Sequence, residues 1–144
     1  MTPQQRAERA AAAMWAGDKA TQAAGMSLDA IGPGTATITM TIRADMTNGH
    51  GTAHGGYLFT LADSAFAFAC NSYNNSVVAQ HTSMTYLSPG QEGEVMTATA
   101  HEVTRAGRSG IYDVAVTGQD GRMVAQFRGH SRQISGHHFD EDAV

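Results

Sequence analysis

The segment GGYLFTLADSAFAFAC, residues 55–70, is apolar at most positions and carries a single charged residue, Asp63. Apolar side chains on every helical face are typical of a buried helix, so the segment predicts a central helix that is buried all round. An ionised carboxylate in apolar surroundings is costly unless it is paired, and no Lys or Arg lies within a turn of Asp63. Asp63 is therefore either a functional group or a structural side chain that accepts hydrogen bonds from loop amides.

A glycine-rich loop, NGHGTAHGG (residues 48–56), runs directly into this helix. The first N–H groups of a helix lack intrahelical acceptors and lie at the positive end of the helix dipole, so they can bind an anion or stabilise a developing oxyanion. The loop is not a dinucleotide fingerprint, because His54 stands where that motif requires glycine. A Walker phosphate loop is also excluded, because the chain contains no Gly-Lys-Ser or Gly-Lys-Thr.

The spacing of Gly55 and Asp63 limits how the two can act together. Asp63 follows Gly55 by eight residues, which on a helix with a rise of about 1.5 Å per residue places it about 12 Å from the helix start. Acid–base or nucleophilic chemistry needs contacts of about 3 Å, so one substrate carbonyl cannot reach both groups of one chain. If both groups act on one substrate, they belong to different subunits of a two-fold dimer with two equivalent sites.

The remaining sequence predicts an antiparallel sheet. Alternating or β-branched segments, separated by turn residues, predict strands over 35–42, 77–87, 94–104, 109–117 and 122–134. An Ala-rich segment, 4–24, predicts a covering helix that ends at Gly25. The predicted fold class is α+β, with the sheet wrapped around the central helix. Residues 1–136 form a single domain in this interpretation, and residues 137–144 form a polar, solvated tail.

Length and composition fit one cytoplasmic domain. The chain has 144 residues, of which 42% are hydrophobic, enough for a core without disulfide or metal staples. Nine Lys and Arg against 13 Asp and Glu give a net charge of -4 without a basic stripe, which argues against a nucleic-acid partner. The single cysteine, Cys70, favours a reducing compartment. We expect neither a signal peptide nor a membrane partner, because no apolar run approaches the length that spans a bilayer.

The segment NGHGTAHGGYLFTLADSAFAFACNS, residues 48–72, closely resembles the hotdog-fold thioesterases of phenylacetic acid degradation, the PaaI family. Four further blocks resemble the family in the same order: YLSPG at 86–90, RAGR at 105–108, GIYDV at 110–114 and AQFRG at 125–129. The resemblance covers residues 25–136. Ser88 departs from it, because many relatives carry Arg before the Pro.

This resemblance implies a hotdog fold, in which a curved antiparallel sheet wraps around a long central helix. It also implies that chains pair into homodimers with active sites at the interface, and commonly into homotetramers. The implied reaction is hydrolysis of aryl acyl-CoA thioesters, with phenylacetyl-CoA and ring-hydroxylated phenylacetyl-CoA as the main substrates. CoA is then part of the substrate, and we expect no cofactor.

The same resemblance assigns catalytic residues. Asp63 matches the family's carboxylate, which acts as a general base on water or as a nucleophile on the thioester carbonyl. Gly55 supplies the backbone amide that polarises this carbonyl, with Gly56 beside it. Asn48 orients water or the acyl group, and His54 shapes the turn, although His54 could instead only satisfy loop carbonyls.

Further residues are candidates for substrate contacts. Tyr57, Phe59 and Met84 could line an acyl pocket, although apolar side chains of this kind mostly belong to the core. Arg105 and Arg108 flank a tight turn and could bind the phosphates of the coenzyme, because guanidinium groups suit phosphate. They could equally be solvated hairpin charges. The histidines show no metal-ligand spacing, so we predict no required metal.

Two alternatives stand beside the thioesterase: a hotdog hydratase or dehydratase, and a non-catalytic acyl-CoA sensor. A hydratase typically needs a His that acts with an acid, and the central helix offers Asp63 without a paired His. A sensor that controls transcription would need a DNA-binding segment, and the N-terminal segment has too few basic residues. Release of free CoA from a thioester separates the three.

Overall fold

The computed structural model describes residues 1–143, which form three helices and six strands. In chain order these are α1 (Pro3–Gly17), α2 (Lys19–Ala23), β1 (Ser27–Gly32), β2 (Thr35–Thr41), α3 (Gly55–Cys70), β3 (Val77–Tyr86), β4 (Val95–Ala106), β5 (Ser109–Thr117) and β6 (Met123–Gln133). Short 3-10 turns span Ala44–Met46 and Glu141–Ala143. None of these helices is long and apolar enough to cross a membrane.

The six strands form one antiparallel sheet in the order β1-β2-β4-β5-β6-β3, so β1 and β3 are its edges. α3 packs on the sheet, mainly against β2, β4 and β5. The predicted α+β class is confirmed, and the five predicted strands end within two residues of the observed ones. Most buried side chains of the sheet are apolar, and they include Ile38, Met40, Met96, Ala98, Val114, Val116 and Phe127.

α3 begins at Gly55 and ends at Cys70, as the sequence predicts. It is not buried all round, however. Gly56 is exposed, Thr60, Asp63 and Ala67 are half-buried, and a spacing of three or four residues places all four on one helical face. The prediction of complete burial is wrong for this face, because the sheet of one chain covers only part of the helix surface.

The N-terminal region differs from its prediction in two ways. The covering helix is broken at Asp18, whose carboxylate accepts hydrogen bonds from the Thr21 N–H at 3.1 Å and the Thr21 hydroxyl at 2.7 Å. These bonds cap α2, because a short polar side chain competes with continuation of α1. In addition, no strand was predicted over β1. This strand is mostly exposed, so its sequence lacks the apolar alternation of a half-buried strand.

The segment predicted as a solvated tail is docked on the loop between α3 and β3. Asn74 Oδ1 accepts hydrogen bonds from the backbone N–H groups of His138 and Phe139, at 3.0 and 3.1 Å. His138 Nε2 bonds to Asn71 Oδ1 at 2.7 Å. The polar sequence suggested solvation, but two buried asparagines give residues 137–143 specific partners. Residue 144, the end of the predicted tail, lies outside the described residues.

Replacement of Gly129 on β6 by a larger residue should destabilise the protein. A Cβ at this position would lie 2.6 Å from Phe66 Cε1, and the Phe66 ring is itself fixed between Tyr112 and Phe127. We therefore expect Gly129→Ala to lower the free energy of unfolding by about 1–3 kcal/mol, measured by chemical denaturation. Gly49→Ala is the matched control, because a Cβ at Gly49 meets no atom within 4 Å. An equal loss in both variants would contradict this packing argument.

Candidate active site

The amino end of α3 is held in place by the loop before it. The His54 N–H donates to the Met46 carbonyl at 2.7 Å, and the Ala53 N–H donates to the Gly90 carbonyl at 2.9 Å. The loop is thus tied both to the turn after β2 and to the loop after β3. These bonds fix the position of Gly55, the first residue of the helix.

His54 is the N-cap of α3. Its ring Nδ1 accepts a hydrogen bond from the Gly56 N–H at 2.9 Å, and its carbonyl accepts one from the Tyr57 N–H at 3.0 Å. Because Nδ1 is an acceptor here, the neutral ring carries its proton on Nε2. His54 therefore shapes the turn through amides, not through loop carbonyls. The Gly56 amide is already engaged, which corrects the expectation that it lies free for substrate beside Gly55.

The Gly55 amide is free. Of the first three amides of α3, only that of Gly55 has no hydrogen-bond acceptor within the described part of the chain. This N–H lies at the positive end of the helix dipole. An unbonded donor at this point can bind a carbonyl oxygen and stabilise the negative charge that develops on it.

Tyr86, at the end of β3, covers Gly55. The Tyr86 hydroxyl donates to the Gly55 carbonyl at 3.0 Å, and a Cβ at Gly55 would lie 3.2 Å from the Tyr86 ring. Tyr86 was not among the predicted site residues, although the YLSPG block could have drawn attention to it. An open groove of about 330 Å³ runs beside these two residues and is lined by Ala53, Gly55, Leu58, Tyr86, Leu87, Ser88 and Pro89.

Arg122 supports the far wall of this groove. Its guanidinium donates to the Pro89 carbonyl at 2.8 Å, to Ser88 Oγ at 3.2 Å and to Glu94 Oε1 at 2.9 Å. The hydrogen bond from Arg122 to Glu94 holds the pKa of Glu94 below its usual value. The sequence carried no signal for Arg122, because its partners lie about thirty residues away along the chain. Ser88, which departs from the family pattern, thus accepts a hydrogen bond from Arg122 in the loop before β6.

Asn48 bonds within its own loop. Its Oδ1 accepts hydrogen bonds from the His50 N–H at 2.9 Å and the Thr52 N–H at 3.3 Å, and its Nδ2 donates to Thr52 Oγ1 at 3.1 Å. The side chain therefore organises the turn that leads to α3. One Nδ2 proton is left over for water or the acyl group, so the predicted role of Asn48 in orienting them stays a prediction.

Asp63 lies on the partly open face of α3. Within residues 1–143 its carboxylate accepts no hydrogen bond and forms no salt bridge, so the alternative in which loop amides hold it is not supported. Burial raises the pKa of Asp63, and the negative charge of Asp18 raises it further. A carboxylate with a raised pKa is a stronger base toward water than an exposed one.

Phe59 and Met84 lie together at the margin of the core. The Phe59 ring meets Phe127 edge-on, with 5.6 Å between centroids, and Met84 is the register partner of Phe127. Tyr57 is separated from them, because two residues turn a helix by about 200°, and its ring contacts His54 at 6.4 Å. Within one chain, Tyr57 therefore points away from Phe59, and the acyl-pocket role of these three residues stays a prediction.

Arg105 and Arg108 lie at the opposite end of α3 from Gly55. Their hairpin lines a small cleft beside the last residue of α3, about 22 Å along the helix from its start. Arg105 Nε pairs with Glu102 at 2.8 Å, and its guanidinium lies 3.6 Å from the Tyr73 ring centroid. Both arginines therefore lie far from the Gly55 of their own chain, and their binding of the coenzyme's phosphates stays a prediction.

The remaining candidate nucleophile is a protonated thiol. Cys70 is buried, and burial raises its pKa to about 12, so its sulfur is a poor nucleophile at neutral pH. In residues 1–143, no three His, Cys, Asp or Glu side chains are grouped in a way that could hold a metal ion.

Comparison with known proteins places this arrangement among thioesterases. A family model described as thioesterase superfamily matches residues 50–125. The acyl-coenzyme A thioesterase PaaI of Escherichia coli (strain K12) is 42% identical over 124 residues, which cover 86% of this chain and 89% of that protein.

Solved structures agree with this match. The structure of the E. coli PaaI protein from the phenylacetic acid degradation operon has a TM-score of 0.93 at 40% identity and covers 94% of this chain and 99% of its own. A hypothetical thioesterase of Streptococcus pneumoniae TIGR4, solved with coenzyme A, has a TM-score of 0.75 at 27% identity and covers 78% and 88%. The hotdog fold expected from the sequence is confirmed.

Proposed function

The chain belongs to the thioesterase superfamily as an acyl-CoA thioesterase of the PaaI type, and on this premise we propose that it hydrolyses phenylacetyl-CoA and ring-hydroxylated phenylacetyl-CoA. The products are the free aryl acid and CoA. The choice of acyl group is supported by the relative from E. coli, which is described as a protein of phenylacetic acid degradation. It is also supported by the apolar pair Phe59 and Met84 at the margin of the core.

The observation that carries this proposal is the unbonded Gly55 amide at the start of α3. The thioester oxygen accepts a hydrogen bond from this N–H, which polarises the carbonyl carbon toward attack. Attack gives a tetrahedral oxyanion at the same place, where the helix dipole stabilises it. Collapse of the oxyanion then breaks the carbon–sulfur bond and releases CoA.

Asp63 supplies the second half of the reaction. As a general base it takes a proton from water, which attacks the carbonyl carbon, and it later returns the proton to the departing sulfur. As a nucleophile it attacks the carbonyl itself and forms an anhydride that water then cleaves. A single turnover in oxygen-18-labelled water separates the two, because label enters the Asp63 carboxylate only along the nucleophilic route.

We further propose that each site combines two chains. Gly55 and Asp63 of one chain are about 12 Å apart along a continuous α3, too far to contact one carbonyl. β3 is an edge strand that leaves Val78 and Tyr86 exposed, and Leu87, directly after it, is exposed as well. Exposed apolar residues on a sheet edge are typical of an edge that pairs with another chain. A two-fold pairing of these edges would place the partly exposed faces of two α3 helices, which carry Asp63, opposite each other. Asp63 of one chain would then lie toward Gly55 of the other.

Mixed dimers test this arrangement. Co-expressed Asp63→Asn and Gly55→Pro chains should recover about a quarter of wild-type activity, because half of the dimers are mixed and each has one intact site. A chain with both substitutions, co-expressed with wild type, should also retain about a quarter. If one chain supplied both groups, the first mixture would be inactive and the second would retain about half. Sedimentation of the wild-type protein then distinguishes the expected dimers from tetramers.

A panel of CoA esters tests the substrate. With a thiol reagent to detect free CoA, phenylacetyl-CoA and hydroxyphenylacetyl-CoA should have kcat/KM values at least about tenfold above acetyl-CoA and hexanoyl-CoA. Equal values for the aliphatic esters would contradict the aryl preference. Substitution Met84→Ala, which opens the surface beside Phe59, should lower the aryl values more than the acetyl value.

A further inference from the structure

A buried chain of three side chains connects α2 to the helix that carries Asp63. Thr21 Oγ1 lies 2.7 Å from Asp18 Oδ2 and 2.9 Å from Ser64 Oγ. Thr21 and Ser64 are buried, whereas Asp18 is half-buried. Ser64 directly follows Asp63 on α3. Asp18 and Thr21 lie outside residues 50–125, so the superfamily match does not include them.

The direction of these hydrogen bonds follows from the donors present. A carboxylate can only accept, so Thr21 gives its one hydroxyl proton to Asp18. Ser64 must then donate its own proton to Thr21 Oγ1. The Ser64 proton is therefore given to Thr21, and the two hydrogen bonds hold the Asp18 carboxylate close to the turn of α3 that carries Asp63.

We propose that Asp18, held in place through Thr21 and Ser64, is a positioning residue for the hydrolysis: the hydrogen-bonded chain fixes a second negative charge near the turn of α3 that carries Asp63. This inference rests on the proposed role of Asp63. A second negative charge disfavours the ionised form of Asp63 and so makes it a stronger base.

No other charge opposes this effect in the described part of the chain. Asp18 on α2 is the only charged group there that shifts the pKa of Asp63. The strands packed against α3 contribute none, and α3 itself adds only Cys70, whose thiol is neutral at pH values near 7. Within one chain, a change of charge at Asp18 should therefore be read out at Asp63.

Direct titration of Asp63 tests the proposal. In full-length protein with carbon-13-labelled aspartate, NMR gives the titration midpoint of the Asp63 carboxyl, assigned by its loss in Asp63→Asn. We expect Asp18→Asn to lower this midpoint by about 0.5–1 pH unit. Asp18→Ser removes the same charge while it keeps a good helix N-cap, so it should give the same shift if Asp18→Asn folds poorly.

Two variants serve as controls. Asp18→Glu keeps the charge and should restore most of the wild-type midpoint. Asp142→Asn makes the same change in net charge on the exposed C-terminal segment and should leave the midpoint unchanged. Thr21→Val keeps the charge of Asp18 but removes the hydrogen bonds that hold this carboxylate near α3, so it should give a smaller shift in the same direction.

Kinetics supply the second readout. The acid limb of the pH dependence of kcat/KM should move to lower pH by the same amount in Asp18→Asn, with kcat on the plateau about two- to fivefold lower. An unchanged Asp63 midpoint in both Asp18→Asn and Asp18→Ser would overturn the proposal. A wild-type chain that cleaves no CoA ester would instead overturn the proposed function, because the NMR titration needs no turnover.

Discussion

Asp63→Asn is expected to lower kcat for the preferred CoA ester by roughly 10²–10⁴-fold while the protein stays folded. Asn has nearly the same shape as Asp but can neither take a proton from water nor attack a carbonyl. KM should change little, because Asp63 contacts the reacting centre and not the bulk of the coenzyme. The measurement is steady-state release of CoA, with Asp142→Asn as a variant of equal charge change. Activity within a few-fold of wild type would remove Asp63 from the mechanism.

Asp63→Asn should also change the thermal stability of the protein in a pH-dependent way. Burial raises the pKa of Asp63 above its unfolded value, so the folded state favours the protonated carboxyl. Stability from this group is complete below the unfolded pKa and is lost as pH rises through the folded pKa. At about pH 7 the uncharged Asn should therefore give a Tm equal to or above that of wild type, and this difference should shrink toward about pH 4. A Tm well below wild type at neutral pH would indicate that Asp63 has a partner that stabilises its charge.

Gly55→Pro is expected to lower kcat by about 10²–10³-fold, because it removes the one amide proposed to stabilise the oxyanion. Proline suits this position: Gly55 is the first residue of α3, where its N–H has no helical acceptor, and His54 before it has the extended backbone that proline requires. The substitution therefore deletes a donor and leaves the helix in place, which circular dichroism can verify.

Gly55→Ala is the matched control for this effect. Both variants place a Cβ about as close to the Tyr86 ring, at 3.2 Å, but only the proline lacks the N–H. The alanine variant should lose activity only modestly, through displacement of Tyr86. If alanine and proline lower kcat equally, crowding explains the loss and the amide is not the oxyanion donor.

Sequence patterns predicted the helices and strands that form through interactions between residues close together in the chain. The apolar run at 55–70 gave both ends of α3, because a glycine-rich loop with His54 as N-cap precedes it and Asn71 follows it. Alternation gave five of the six strands. The missing strand, β1, is an exposed edge held by pairing with β2, so its own sequence carries little of the pattern.

The same distinction between local and long-range interactions applies to the candidate site. Sequence spacing by itself determined the central helix, the lone carboxylate and the separation of Gly55 from Asp63, because a regular helix converts residue number into distance. Only the tertiary structure decided that the Gly55 amide is free while the Gly56 amide is bonded, that Tyr86 and Arg122 build the groove, and that Thr21 links Asp18 to Ser64 on α3. These contacts join residues far apart in the chain, and their hydrogen bonds depend on side-chain positions that the folded packing alone fixes.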